Sequence, residues 1–144
     1  MPTEVVYTAS ATATGEGRNG HSRTSDGSVD VDLRVPKEMG GPGGATNPEQ
    51  LFATGYAACF LGALKAGAKE HGIPLQDVAV TAEVGIGPRE DGQGFGLTVH
   101  LIVEFGGGVS QADGEKAVAV GHVICPYSHA IRGNVDVTTE VVVA

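Results

Sequence analysis

Apolar and polar residues alternate with a period of two in several stretches of this chain. Val29, Val31 and Leu33 alternate with Ser28, Asp30, Asp32 and Arg34, the pattern of a half-buried strand. Val78, Val80, Ala82, Val84 and Ile86 alternate with Ala79, Thr81, Glu83 and Gly85. Leu97, Val99, Leu101, Val103 and Phe105 do the same against Gly96, Thr98, His100, Ile102 and Glu104. The loop Gly87–Gly94 carries Asp91-Gly92, so these two runs read as a long hairpin. Asn134–Val143 alternates again as a last strand. Near the N-terminus, Glu4–Ala9 is β-branched (Val5, Val6, Thr8), and Ser10–Thr14 continues it in small residues. A glycine-rich turn over Gly15–Gly20, ending in Asn19-Gly20, and an Asp26-Gly27 turn divide that region into a meander. Each long strand has one polar-leaning face, so the expected sheets are antiparallel and covered on one side.

Two stretches switch to helical periodicity. Asn47–Gly72 is the longer, about 24 residues between caps or roughly 36 Å at ~1.5 Å per residue. Asn47 suits an N-cap, Pro48 the first helical position, and Gln50 a capping-box partner. Lys65 and Lys69 suit the C-terminal end, and Gly72 before Ile73-Pro74 is a stop. The helix is full of small residues, among them Gly55, Gly62 and Gly67. Each helical glycine costs ~1 kcal/mol against alanine, so a close neighbour, such as another backbone, is expected there. The second helix is Ser110–Ile124, opened by Ser110-x-x-Asp113 and stopped by Pro126. The order is βββαββαβ, an α+β fold. The Gly40–Gly44 run is flexible enough for a linker, but the meander before it is too small to stand alone. One domain over residues 1–144 is therefore expected.

Charge removes some function classes. The chain of 144 residues carries a net charge of −8 and no basic cluster, which argues against nucleic acid and anionic membranes. No apolar run reads as a membrane span and MPTEVVYTAS has no signal-peptide plan, so a cytoplasmic location is expected. Two cysteines, Cys59 and Cys125, are too few for a disulfide scaffold. Either packs well as a small core residue.

They are also the main chemical candidates. If the two helices pack, the sulfurs can come within disulfide range, which needs Cα atoms within ~7 Å. Cys59 stands mid-helix and gains nothing from a helix terminus, so a thiolate there needs a cation from elsewhere. Arg18, in GEGRNGH, is a candidate cation; a solvated hairpin tip explains it equally. Glu49 suits the helix N-terminus, or a bidentate pair with an arginine. Glu49 and Cys59 are ten residues apart on one helix, ~15 Å along its axis. A site holding both requires two chains or a broken helix. His122, Cys125 and His129 are spaced like metal ligands, but Pro126 breaks their register and no CxxC accompanies them. The glycines over Gly85–Gly96 lie on strands and a hairpin, so a dinucleotide site is not expected.

TNPEQLFATGYAACFLGAL (Thr46–Leu64) and ICPYSHAIRGNVDV (Ile124–Val137) resemble the two cysteine motifs of the organic hydroperoxide resistance proteins, the Ohr branch of the OsmC/Ohr family. GEGRNGH, VTAEVGIGP (Val80–Pro88) and GFGL (Gly94–Leu97) fit as well. The resemblance runs from Tyr7 to Val142; His129 and Ile131 depart from the pattern at non-catalytic positions. It implies an intertwined homodimer, with antiparallel sheets wrapped around long central helices. It implies a thiol-dependent peroxidase that reduces alkyl and fatty-acid hydroperoxides to alcohols in oxidative-stress defence. Cys59 would be the peroxidatic and Cys125 the resolving cysteine, with Arg18 and Glu49 activating the site. No bound cofactor is implied; dihydrolipoamide or a lipoylated protein would supply electrons. Phe52, Phe60 and Tyr127 flank the cysteines and could line an apolar channel, or pack the core.

Three other readings compete. The OsmC branch shares the chemistry but prefers other peroxides. A non-catalytic carrier of apolar ligands or acyl groups would use the cysteines only for packing. A small metal-binding protein would use His122, Cys125 and His129. Fold alone does not choose among them.

Overall fold

The computed structural model describes residues 3–144. The chain forms two compact units, Met1–Leu51 and Phe52–Ala144.

In the first unit, β1 (Ala11–Gly15), β2 (Gly20–Thr24) and β3 (Asp30–Asp32) make an antiparallel sheet in that order. The β1–β2 connection turns on Gly15 and Gly17, both at φ near +70°, which glycine adopts without strain. The strand expected over Glu4–Ala9 does not form: pairing starts at Ala11, opposite Thr24, and the turn after β2 leaves earlier residues no neighbouring strand. Val6 there is 96% exposed. Beyond β3, Leu33 donates its N–H to Gly20 O, and Arg34 to Thr46 O. The strand thus ties the β1–β2 turn to Asn47, whose side chain caps the following helix by accepting from Gln50 N at 2.9 Å. The helix α1 (Pro48–Glu70) starts here.

The second unit holds the main core. Along α1, Tyr56, Phe60, Ala63, Leu64, Gly67 and Ala68 are buried, a stripe with helical spacing. The strands β4 (Ala79–Pro88) and β5 (Phe95–Phe105) form the expected hairpin. Val99, Leu101, Val103 and Phe105 supply its buried face. The chain then runs through α2 (Gln111–Ile124) and α3 (Pro126–Ile131) into β6 (Val137–Val143). Here one expectation is corrected: β6 lies parallel to β5, so this sheet is mixed rather than antiparallel. The α2–α3 crossover returns the chain to the end where β5 began, so β6 enters alongside it in the same direction. The alternation along β6 is the same either way. The helix α3 is also additional to the expected order, since Pro126 ends α2 and opens a new helix at its first position.

Of the three α1 glycines, Gly55 and Gly67 meet side chains, while nothing lies within 4 Å of a Cβ on Gly62. A Cβ on Gly67 would lie 2.5 Å from Val120 Cγ1, and one on Gly55 3.0 Å from Tyr127 Oη. At Gly121 of α2 the approach does reach the α1 backbone: a Cβ there would lie 3.2 Å from Phe60 Cζ and 3.4 Å from Leu64 Cα. By length and composition α1 is apolar enough to cross a membrane, which corrects the expectation that no run reaches that span. Its apolar stripe is packed into the second unit's core.

Candidate active site

Within the first unit, the β1–β2 turn presents Arg18 to the opening of α1. Nη1 donates to Glu49 Oε2 at 3.0 Å and Nη2 to Oε1 at 2.8 Å, a bidentate pair. Glu49 is 12% exposed and Arg18 42%. The hydrogen bonds from Arg18 hold the Glu49 carboxyl below its ordinary pKa, and Glu49 raises that of Arg18. The turn is held in place locally. Asn19 Oδ1 accepts from Val35 N at 2.9 Å, and Arg34 Nη1 donates to the carbonyls of Leu33 and Gly20. A Cβ on Gly20 would lie 2.1 Å from Thr14 O, so only glycine closes this turn.

Within the second unit, Cys125 occupies the joint between α2 and α3. Its N–H makes the last bond of α2, to Gly121 O at 2.8 Å, and its carbonyl accepts from His129 N at 3.0 Å. Its ψ of 120° breaks the helix between them. Pro126 has no N–H for the carbonyl of His122, and Arg132 Nη2 donates to that carbonyl instead, at 2.7 Å. The joint aims the buried Cys125 thiol at Cys59: the two Sγ atoms lie 3.5 Å apart and both cysteines are free.

Cys59 is half-buried. Burial pushes its thiol pKa up and the neighbouring Cys125 sulfur, as hydrogen-bond acceptor and like charge, adds to the rise, while the backbone N–H of Tyr127 acts in the opposite direction by bonding the sulfur. None of these influences is a cation. The α1 helix is unbroken from Pro48 to Glu70, so Glu49 stays ten residues, ~15 Å of axial rise, from Cys59 in the same chain. The Tyr127 amide was not legible in the sequence, because Pro126 reads as the stop of α2 as readily as the start of α3.

Phe52 and Tyr127 stand with ring centroids 6.0 Å apart, and Tyr56 lies 5.8 Å from Tyr127. Phe60 is fully buried, and its ring lies tilted against His122 with centroids 4.7 Å apart. Tyr127 remains 40% exposed. His122 is committed at both nitrogens, Nδ1 to Ser128 Oγ and Nε2 to Thr139 Oγ1, each at 3.0 Å. Among the described residues no three His, Cys, Asp or Glu side chains are grouped to hold a metal ion.

Comparison with known proteins finds relatives over almost the whole chain. Residues 41–140 match the family described as OsmC-like protein. An organic hydroperoxide resistance protein of Xanthomonas axonopodis pv. citri is 49% identical over 139 residues, 95% of each chain. The organic hydroperoxide resistance protein OhrB of Bacillus subtilis is 46% identical over 140 residues, 94% of this chain and 97% of that one. A crystal structure of an organic hydroperoxide resistance protein from Legionella pneumophila superposes with a TM-score of 0.91 at 50% identity, covering 96% of this chain and 99% of the other. With its two cysteine motifs and its α+β architecture, the chain belongs to the Ohr branch of the OsmC-like family.

Proposed function

We propose that the protein is a thiol-dependent peroxidase that reduces organic hydroperoxides to alcohols and so defends a cell's cytoplasm against oxidative stress. The observation that carries this reading is the reduced Cys59–Cys125 pair, its sulfurs 3.5 Å apart at a helix joint. The names of its relatives supply the substrate class.

The chemistry follows from the residues. The Cys59 thiolate attacks the distal peroxide oxygen, the O–O bond breaks, and an alkoxide leaves while sulfur becomes a sulfenic acid. The alkoxide takes a proton to become the alcohol. The Cys125 sulfur then attacks Cys59, and the S–O bond breaks. The thiol proton and the hydroxide leave as water, and a disulfide remains. Dihydrolipoamide or a lipoylated protein returns it to the dithiol, and no bound cofactor is required. Phe52 and Tyr127 flank the approach of the alkyl group, with Phe60 packing behind them.

Cys59 needs a cation, and among the described residues of its own chain none acts on it. We place Arg18 of the partner subunit there, in a homodimer, oriented by Glu49 of the same copy. The arginine would stabilise the thiolate and the charge developing on the leaving oxygen. Two features support the dimer. All of β1 is exposed in the single chain, and so are Thr54, Ala58, Gly62 and Ala66 along one face of α1. A 144-residue span making one functional OsmC/Ohr domain, rather than two independent ones, goes with this reading.

The test is peroxidase turnover of an alkyl hydroperoxide with dihydrolipoamide as reductant. The wild type should turn over, and Cys59→Ser should lose the activity. Cys125→Ser should stop after one oxidation of Cys59. A wild type that binds apolar ligands but turns over no hydroperoxide with any thiol would favour the carrier reading instead.

A further inference from the structure

Four polar side chains that the reaction does not use form one chain of hydrogen bonds beside the cysteines. Tyr56 Oη and Ser128 Oγ are 2.6 Å apart, Ser128 Oγ and His122 Nδ1 3.0 Å, and His122 Nε2 and Thr139 Oγ1 3.0 Å. Tyr56 is fully buried and Ser128 is 5% exposed. The four residues come from α1, α3, α2 and β6. The spacing brackets the sulfurs: Tyr56 is three residues before Cys59, His122 three before Cys125, and Ser128 three after it. Ser128 is the hub, with one hydroxyl serving both α1 and α2.

A cavity of about 250 Å³ borders the network, lined among others by Tyr56, His122, Ser128 and Arg132. Tyr127 of α3 packs on Phe52 and Tyr56 of α1, and the buried hydrogen bonds add a fixed direction to that contact. Breaking one leaves a buried polar group unpaired, which a well-packed site avoids.

We propose that Tyr56, Ser128 and His122 are positioning residues for the resolving step: their network pins α3 to α1 and α2 so that Cys125 stays aimed at Cys59. This rests on the reading of Cys59 as peroxidatic and Cys125 as resolving. In that step the Cys125 sulfur bonds to the Cys59 sulfur of the sulfenic acid, and the hydroxyl leaves with the thiol proton as water. The sulfurs must close from 3.5 Å to a bond of ~2.05 Å. Slack in the joint slows this step but not the first, in which Cys59 alone meets the peroxide. A sulfenic acid that waits longer meets a second peroxide and becomes a sulfinic acid.

The experiment compares wild type, Tyr56→Phe, Ser128→Ala and Ser128→Thr in single turnover with an alkyl hydroperoxide. Rapid alkylation and mass spectrometry follow the Cys59 sulfenic acid, the disulfide and the sulfinic acid. Sulfenic acid formation should stay within about twofold of wild type in all variants. Disulfide closure should slow roughly tenfold or more in Tyr56→Phe and Ser128→Ala, with more sulfinic acid at Cys59. Ser128→Thr, which keeps the hydroxyl, should close near the wild-type rate. Wild-type closure in Tyr56→Phe, equal slowing of both steps, or a Ser128→Thr as slow as Ser128→Ala would overturn the proposal. If the wild type forms no Cys59–Cys125 disulfide, the underlying reading fails, and this proposal with it. Tyr56→Phe removes a single oxygen and decides the matter if the Ser128 variants do not fold.

Discussion

At the scale of residues, the Arg18–Glu49 pair separates stability from activity. Arg18 keeps 42% of its side chain exposed, so solvent screens the pair and it should contribute no more than about 1 kcal/mol to folding. As an orienting device it matters more: two charge-assisted hydrogen bonds fix the guanidinium, worth about 1.5–3 kcal/mol when lost, or roughly 10–100-fold in rate. Glu49→Gln should therefore cut hydroperoxide turnover by that order while shifting the thermal midpoint little. Acid has a related effect with a definite sign. The Glu49 carboxyl is held below its ordinary pKa by Arg18. Its contribution is complete above the unfolded value of ~4.3 and is lost as pH falls through the lower folded value. A pH titration of wild type against Glu49→Gln should show the variant without this loss in the acid range. A variant that is fully active at neutral pH would remove Glu49 from the site.

At the scale of elements, glycine spacing on α1 records what packs there. A methyl at Gly67 would run into Val120, whose β-branched side chain has little freedom to turn away. The overpacking cost of ~1–3 kcal/mol exceeds the ~1 kcal/mol gained by replacing a helical glycine. Gly67→Ala should thus lower unfolding free energy by up to about 2 kcal/mol in a denaturant titration; a more stable variant would mean that α2 yields easily. Both long helices and the β4–β5 hairpin were legible because their periodicities and caps agree with one another. The parallel pairing of β6 was not, since alternation reports which face is buried and not which way a neighbour runs. The α3 helix was hidden because Pro126 serves equally as a stop and as a first helical residue. The Glu4–Ala9 stretch misled because β-branched residues become a strand only where a neighbour exists to pair with.

At the scale of the whole molecule, the helix α1 decides how a site can be assembled. Being continuous, it keeps Glu49 away from the Cys59 of its own chain, a conclusion the spacing alone already allowed. Arg18–Glu49 pairing was legible only as one of two options, because an exposed hairpin tip and a clamp share the same sequence. The Tyr56–Ser128–His122 network was illegible, since it joins residues from separate elements. If each site takes Arg18 and Glu49 from one copy and its cysteines from the other, two inactive variants should complement. Arg18→Ala chains refolded together with Cys59→Ser chains should recover activity, with one intact site per mixed dimer. Mixtures no more active than their parents would require the site to lie within one chain.

The central claim is that Cys59 and Cys125 are a redox pair driven by organic hydroperoxide. The measurement that tests it most directly is the mass of the reduced protein, intact and after digestion without reductant, following one equivalent of alkyl hydroperoxide. A redox pair gives a chain lighter by two hydrogens, a peptide linking Cys59 to Cys125, and restoration of the starting mass by dihydrolipoamide. An unchanged mass, or oxygen added at either cysteine with no cross-link in the wild type, would contradict the claim.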